Sequence, residues 1–299
     1  MPATTLAKGG DRRGGGGLNT PKPEAVLDGF SLNSATVLHL GLVELLREAE
    51  RRGFQAVGLW RDNLEGMPLE KVARLLEVSG LRLSSLCRAG LFTHPEARGR
   101  RAALGESKVA VDQAAALGAA ALVVVPGGLV GRDLSGSRQM VRDSLGELAT
   151  YADEQGVKLA VEPMHPLLVQ ERSVITSLRE ANNLVEDLGN DCLGVTYDTY
   201  HVWWDSALAL ETARCTGRIW SVQVADWLPP TGRLTACRGV PGEGCIDLPG
   251  VLALAREDGA YAGDIEVEVL SEAWWGAGPE ATLDAVVAGL AALAARPGP

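Results

Sequence analysis

LGVTYDTYHVWWD, residues 193–205, is the stretch whose reading decides the fold. Its first half is apolar and β-branched around Leu193 and Val195, and it climbs to a carboxylate, Asp198. His201 follows three residues later, and then the pair Trp203 and Trp204. Polar groups gathered at the carboxyl end of a buried strand are the arrangement of parallel α/β folds, whose sites lie at that end. The same residues also fit an Asp that caps the next helix and a His packed in a loop. Whether other strands end in the same way separates the two readings.

Outward from this stretch, short β-branched runs alternate with longer segments of helical period. Strands are expected at Gly29–Leu32, Ala56–Trp60, Arg82–Leu86, Ala121–Val125, Lys158–Val161, Leu193–Tyr197, Trp220–Val224 and Ile265–Leu270. Amphipathic segments lie between them at Leu42–Arg52, Leu69–Ser79, Ala97–Leu117, Ser137–Glu154, Ser177–Leu188, Leu208–Cys215 and Leu248–Glu257, with Pro279–Ala295 closing the chain. Gly53, Gly80, Gly118 and Gly156 fall just past helix ends, where a left-handed residue is wanted. Strand–helix alternation implies parallel strands joined by right-handed crossovers. Eight such units predict an α/β protein built as a single (β/α)8 TIM barrel over residues 24–299. Residues 1–23, rich in Gly, Pro and Lys/Arg, read as a disordered tail. A doubly wound sheet is disfavoured because no G-x-G-x-x-G follows the first strand.

Bulk properties restrict the function. The chain has 299 residues, 46% hydrophobic and 22% charged, an ordinary globular composition. A net charge of −10 disfavours nucleic acid and anionic membrane surfaces as partners. No uninterrupted apolar run approaches roughly 18 residues, so no transmembrane helix is expected. Five scattered cysteines without a CxxC pair suggest reduced thiols and a cytoplasmic setting.

Carboxyl ends of barrel strands share one rim, so their residues can be taken together. The fifth strand ends VEPMHP, giving Glu162 and His165; the sixth gives Asp198 and His201; the seventh gives Gln223 and Asp226. In the eighth, IEVEVL, alternation puts Glu266 and Glu268 on one face and Ile265, Val267 and Val269 on the other. Acids inside terminal strands are costly unless paired, hydrogen-bonded or on a metal. Glu162, Asp198, Gln223 and Glu268 offer four oxygen ligands suited to a hard ion such as Mn2+ or Mg2+. Six tryptophans follow strand ends, Trp60 and Trp203 among them, and offer flat faces to the C–H surface of a sugar or cyclitol. Arg238 is the best-placed cation for a substrate, although it could equally pair with Asp226 or Asp247 as scaffold.

At these residues the chain resembles the sugar phosphate isomerases/epimerases of the xylose isomerase-like TIM-barrel superfamily, which includes D-tagatose 3-epimerase, hydroxypyruvate isomerase and inosose dehydratase. The motifs are VEP at 161–163, D-x-x-H at 198–201, V-x-V-x-D-W at 222–227, RGVPGEG at 238–244 and the final IEVE. The resemblance implies that Glu162 and Glu268 are the acid/base pair and also touch the metal, and that Asp198 is a ligand. It further implies that His201 and Arg238 bind substrate, Arg238 at the far end. His165 would be an added acid/base or binding group, or a loop residue beside Pro166. Relatives usually carry His where this chain has Gln223, a neutral and weaker ligand.

The chemistry such residues suit is proton transfer at a carbon next to a carbonyl, through a metal-stabilised enediolate, in a sugar, sugar phosphate or cyclitol. Alternatives are a lyase on the same scaffold, dehydrating an inosose or cleaving a 3-keto glycoside, and a non-catalytic sugar-binding barrel. Endonuclease IV shares the superfamily fold, but a three-zinc site needs more histidines than the four present, and the charge is wrong for DNA. Barrels of this kind often pair, which leaves a homo-oligomer open.

Overall fold

The computed structural model describes residues 27–229, 233 and 236–295; the expected N-terminal tail lies outside them. Ten strands follow in chain order: β1 (Phe30–Asn33), β2 (Ala56–Trp60), β3 (Arg82–Gly90), β4 (Leu122–Val125), β5 (Leu159–Val161), β6 (Leu193–Asp198), β7 (Ile219–Val224), β8 (Asp226–Trp227), β9 (Arg238–Gly239) and β10 (Ile265–Val267). Eight of them close a parallel barrel in the order β1-β10-β7-β6-β5-β4-β3-β2, while β8 and β9 form a separate antiparallel ribbon. The expected (β/α)8 barrel is therefore the fold.

Helices cover the barrel because their apolar stripes have no other place to go. In Leu42–Arg52 the buried residues are Leu42, Leu45, Leu46 and Ala49, a helical stripe one face wide. Leu145 and Leu148 do the same for the long helix Leu134–Glu154 and are fully buried. Each such leucine contributes about 1.5–3 kcal/mol by leaving water. At the end of the first of these helices Gly53 takes φ 88°, a left-handed cap that returns its N–H to the carbonyls of Ala49 and Glu50.

Two boundaries differ from expectation. β3 continues past Leu86 to Gly90, because it is paired along its length by β2 and then β4, ending at Gly90 opposite Val125. The charge at Arg88 looks like a strand end in sequence, but tertiary pairing overrides it. β10, in contrast, stops at Val267, short of Leu270. The other site-bearing strands end within one residue of the expected positions, so their polar termini meet at one rim.

Candidate active site at the barrel mouth

Sheet register explains why the polar residues converge. Ser31 of β1 stands beside Glu266 of β10, Glu266 beside Gln223 of β7, and Gln223 beside Asp198 of β6. One rung of the barrel thus carries Ser, Glu, Gln and Asp on adjacent strands. Glu162 and Glu268 sit one residue beyond β5 and β10, their N–H groups bonded to Val124 O and Val224 O at 3.0 and 3.1 Å. Asp198 also starts a helical turn, Thr199–Val202, by accepting from Tyr200 N at 3.0 Å, and this turn carries His201 inward. β9 brings Arg238 over the mouth through its pairing with Trp227 of β8.

The side chains meet closely. Arg238 Nη1 lies 2.8 Å from Asp198 Oδ2 and 3.1 Å from Glu268 Oε2, and Nη2 lies 3.2 Å from His201 Nε2. His201 Nε2 is 3.6 Å from both Glu162 Oε1 and Asp198 Oδ2, while its Nδ1 accepts from His165 N at 3.4 Å. Glu268 Oε1 accepts from Trp60 Nε1 at 3.1 Å and from Asn33 Nδ2 at 3.2 Å. Glu162 has no such grip; its contact is with the His201 ring, and it lines the cavity.

Burial dominates the electrostatics. Glu162, Asp198, Glu266 and Glu268 are all buried, against one buried guanidinium, Arg238. Burial, then the charges of Asp198 and Glu268, push Glu162 well above the usual carboxylate range. Burial also raises Asp198, with Arg238 opposing it. Glu268 is pushed up to about 7 by burial, again against the pull of Arg238. His201 is driven well below its ordinary value by burial and by the neighbouring Arg238, so its ring is neutral. Arg238 stays charged: burial works against it, but Asp198, Glu268 and Glu162 outweigh burial.

Below this layer sits Glu266. Its Oε1 accepts from Asn33 Nδ2 at 2.5 Å and Gln223 Nε2 at 3.3 Å, and its Oε2 accepts from Ser84 Oγ and Ser85 Oγ at 2.7 and 2.8 Å. Gly58 of β2 makes room for it, since a Cβ there would stand 2.3 Å from the carboxylate. Glu266 Oε1 accepts from the NH2 side of the Gln223 amide, which leaves Gln223 Oε1 turned the other way. Gln223 Oε1 is buried without a hydrogen-bond partner among the described residues.

These observations bear on a metal. Glu162, Asp198 and His201 each offer one ligand atom within 4.8 Å of the others. The unpartnered Gln223 oxygen and the surplus of buried carboxylates over buried cations both fit a divalent ion. Glu162, Asp198, Gln223 and Glu268 would hold it, with His201 alongside. Gln223 would then be a neutral oxygen donor beside the carboxylates.

Of the remaining expected residues, Trp60 lines the cavity, together with Cys87, Arg88, Val125, Met164 and Arg172. Trp203 instead packs on Trp227, ring centres 5.9 Å apart, and His165 stacks on the same indole at 4.8 Å. The aromatic cluster therefore braces the rim as much as it faces a ligand. Arg238 pairs with neither Asp226 nor Asp247: Asp226 accepts from Trp227 N, Gly242 N and Ile246 N, and Asp247 caps the helix Leu248–Glu257. The partners of Arg238 are instead Asp198, Glu268 and His201. Asn33, Arg88 and Arg172 were not among the expected site residues. For Asn33 a signal existed, a polar residue ending the first strand run; Arg172 lies in a loop with no period to mark it.

A pH dependence follows from Glu268. Its folded value near 7, against an ordinary 4.5, means that the folded chain keeps a proton that the unfolded chain releases. This contribution to stability is fully present below about 4.5 and is lost as pH rises through about 7. Metal-free protein should therefore melt at progressively lower temperature across that window. Mn2+ affinity should climb over the same range, because cation and proton compete for one carboxylate. Melting curves and Mn2+ titrations at matched pH check both slopes.

The model of the family described as "Xylose isomerase-like TIM barrel" matches residues 46–294. The fold is also that of several solved structures. Protein SMc04130 from Sinorhizobium meliloti is 36% identical, with a TM-score of 0.85 over 88% of this chain and 97% of that one. The IolI protein with a bound zinc atom is 19% identical (TM-score 0.76, covering 89% and 97%), and the E. coli 3-keto-D-glucoside 4-epimerase YcjR is 21% identical (0.71, covering 88% and 97%). A search of curated proteins returned no match. No helix among the described residues is long and apolar enough to cross a membrane. With a family model matched over most of its length and a structural relative above 30% identity, the chain belongs to the xylose isomerase-like TIM barrel family.

Proposed function

We propose that the chain is a divalent-metal-dependent isomerase or epimerase of a sugar or cyclitol. The observation that carries this reading is the pair Glu162 and Glu268, two buried carboxylates of raised proton affinity that line one cavity. One takes the proton from the carbon beside a carbonyl, leaving an enediolate. The other returns a proton, to the neighbouring carbon for isomerisation or to the opposite face of the same carbon for epimerisation. A carboxylate pushed up to about 7, as Glu268 is, suits both directions of transfer. A bound divalent cation would supply positive charge against the oxygen that becomes anionic. Glu162, gripped by no hydrogen-bond donor among the described residues, is the freer of the two and suits proton abstraction, while Trp60 and Asn33 fix the orientation of Glu268. Arg238 and the neutral His201 line the same cavity and are placed to contact substrate oxygens.

The test is solvent exchange. Protein supplied with Mn2+ should bind about one ion per chain by elemental analysis and should wash deuterium into the α-position of a ketose or inosose in D2O. Loss of water or of an aglycone in the same assay would point to a lyase instead. Absence of both metal and exchange across free and phosphorylated ketoses, inososes and keto glycosides would leave only a sugar-binding barrel.

A further inference from the structure

The cavity that holds the acids is also lined by two guanidinium groups with no hydrogen-bond or ion-pair partner among the described residues, although the charge of Arg172 is felt at Glu162. Arg88, on β3, and Arg172, in the segment after β5, both line the cavity and are half-buried. Among the described residues neither guanidinium has a carboxylate or hydrogen-bond partner. The chain does not lack acids, with 38 Asp and Glu against 28 Lys and Arg, and it pairs Arg82, Arg142 and Arg214 with them. Leaving two arginines unpaired at a cavity is therefore not a shortage of partners.

Both are fixed in place by backbone. Arg88 lies between Cys87 and Ala89, which pair with Val123 and Val124 of β4. Arg172 O accepts from Gly127 N at 2.9 Å, and Val174 N and Leu129 N tie the same segment to the loop after β4 at 2.9 Å each. Gly127 permits this with φ 118°, and a Cβ there would stand 2.5 Å from Thr93 Oγ1. Arg172 follows β5, the strand that ends in Glu162, and Arg88 lies on β3, so the two flank β4. Val125, Met164 and Leu168 beside them lower the local polarity and strengthen any charge contact.

We propose that Arg88 and Arg172 form an oxyanion subsite, so that the substrate is a keto compound that also bears a carboxylate or a phosphate. Planar guanidinium groups suit both anions, each offering paired N–H donors to two oxygens. The identity of the reacting end rests on the acid/base reading above; the anion subsite does not.

Calorimetric titration of the whole chain with inorganic phosphate and with malonate, for wild type, Arg88→Gln and Arg172→Gln, tests it. At least one probe should bind the wild type, and each variant should weaken it about tenfold or more, the equivalent of one lost charge-assisted hydrogen bond. Preference for phosphate assigns a phosphorylated substrate, and preference for malonate assigns a keto acid. Failure of both probes to bind, or unchanged affinity in both variants, overturns the subsite. Deuterium exchange separates the two readings. Arginine-dependent anion binding with no exchange in any ketose removes the proton-transfer reading and keeps the subsite. Equal exchange rates for neutral and anionic members of a ketose pair remove the subsite and keep the chemistry.

Discussion

Glu162→Gln should lower turnover by roughly 10²–10⁴-fold, the range that a positioned general acid or base contributes. The substitution keeps the shape of the side chain and removes its charge, one acceptor oxygen and the ability to exchange a proton. Its effect on stability should run the other way. Glu162 is raised by burial and by the charges of Asp198 and Glu268, so its ionised form is a burden on the folded chain. Metal-free Glu162→Gln should therefore melt no lower than wild type, and higher above neutrality. Glu268→Gln should lose a comparable factor in activity. It also exchanges an acceptor oxygen for a donor facing Arg238 or the Trp60 and Asn33 donors, so its stability should not rise as far. Rates of deuterium exchange and melting temperatures, measured on the same preparations, check these outcomes. Retention of activity within tenfold in Glu162→Gln would remove this residue from proton transfer.

The largest stability effect is expected at Arg238. Its guanidinium is the buried cation beside Asp198 and Glu268, and removing one member of a buried charge cluster costs about 3–5 kcal/mol. Arg238→Met keeps most of the stem and none of the charge. Urea unfolding of the metal-free protein should show this loss near pH 8, where the carboxylates are driven to ionise. The loss should be smaller near pH 5, where protons neutralise them instead. Saturating Mn2+ should recover part of it, since a second cation stabilises the same carboxylates. A variant as stable as wild type at pH 8 without metal would show that Arg238 does not balance this cluster.

Most of the barrel was legible because its signals are local and periodic. The helices Leu42–Arg52, Leu69–Ser79, Ala97–Leu117 and Leu248–Glu257 have the bounds read from apolar spacing and terminal glycines. The acids of the rim were legible for a different reason: a carboxylate inside an apolar run has to be compensated, and here the compensation is the site. What sequence could not give was direction and partnership. In sequence Arg238 was as compatible with a scaffold pair to Asp226 or Asp247 as with a substrate contact, and its place in the β8–β9 ribbon beside Asp198 could not be read there. The tryptophans share a place in the strand–loop pattern, yet Trp60 faces the cavity while Trp203 packs on Trp227. Arg88 was hidden because a charged residue in a strand run reads as the end of that run. Neighbouring strands, which local pattern does not contain, carry β3 four residues further.

Gly58 and Glu266 lie 208 residues apart in the chain, yet they occupy one volume. A lineage that gains a methyl at 58 must first, or at once, shorten 266, and shortening 266 releases the amide of Gln223 to turn over. The two positions and the orientation of the amide at 223 should therefore be inherited together.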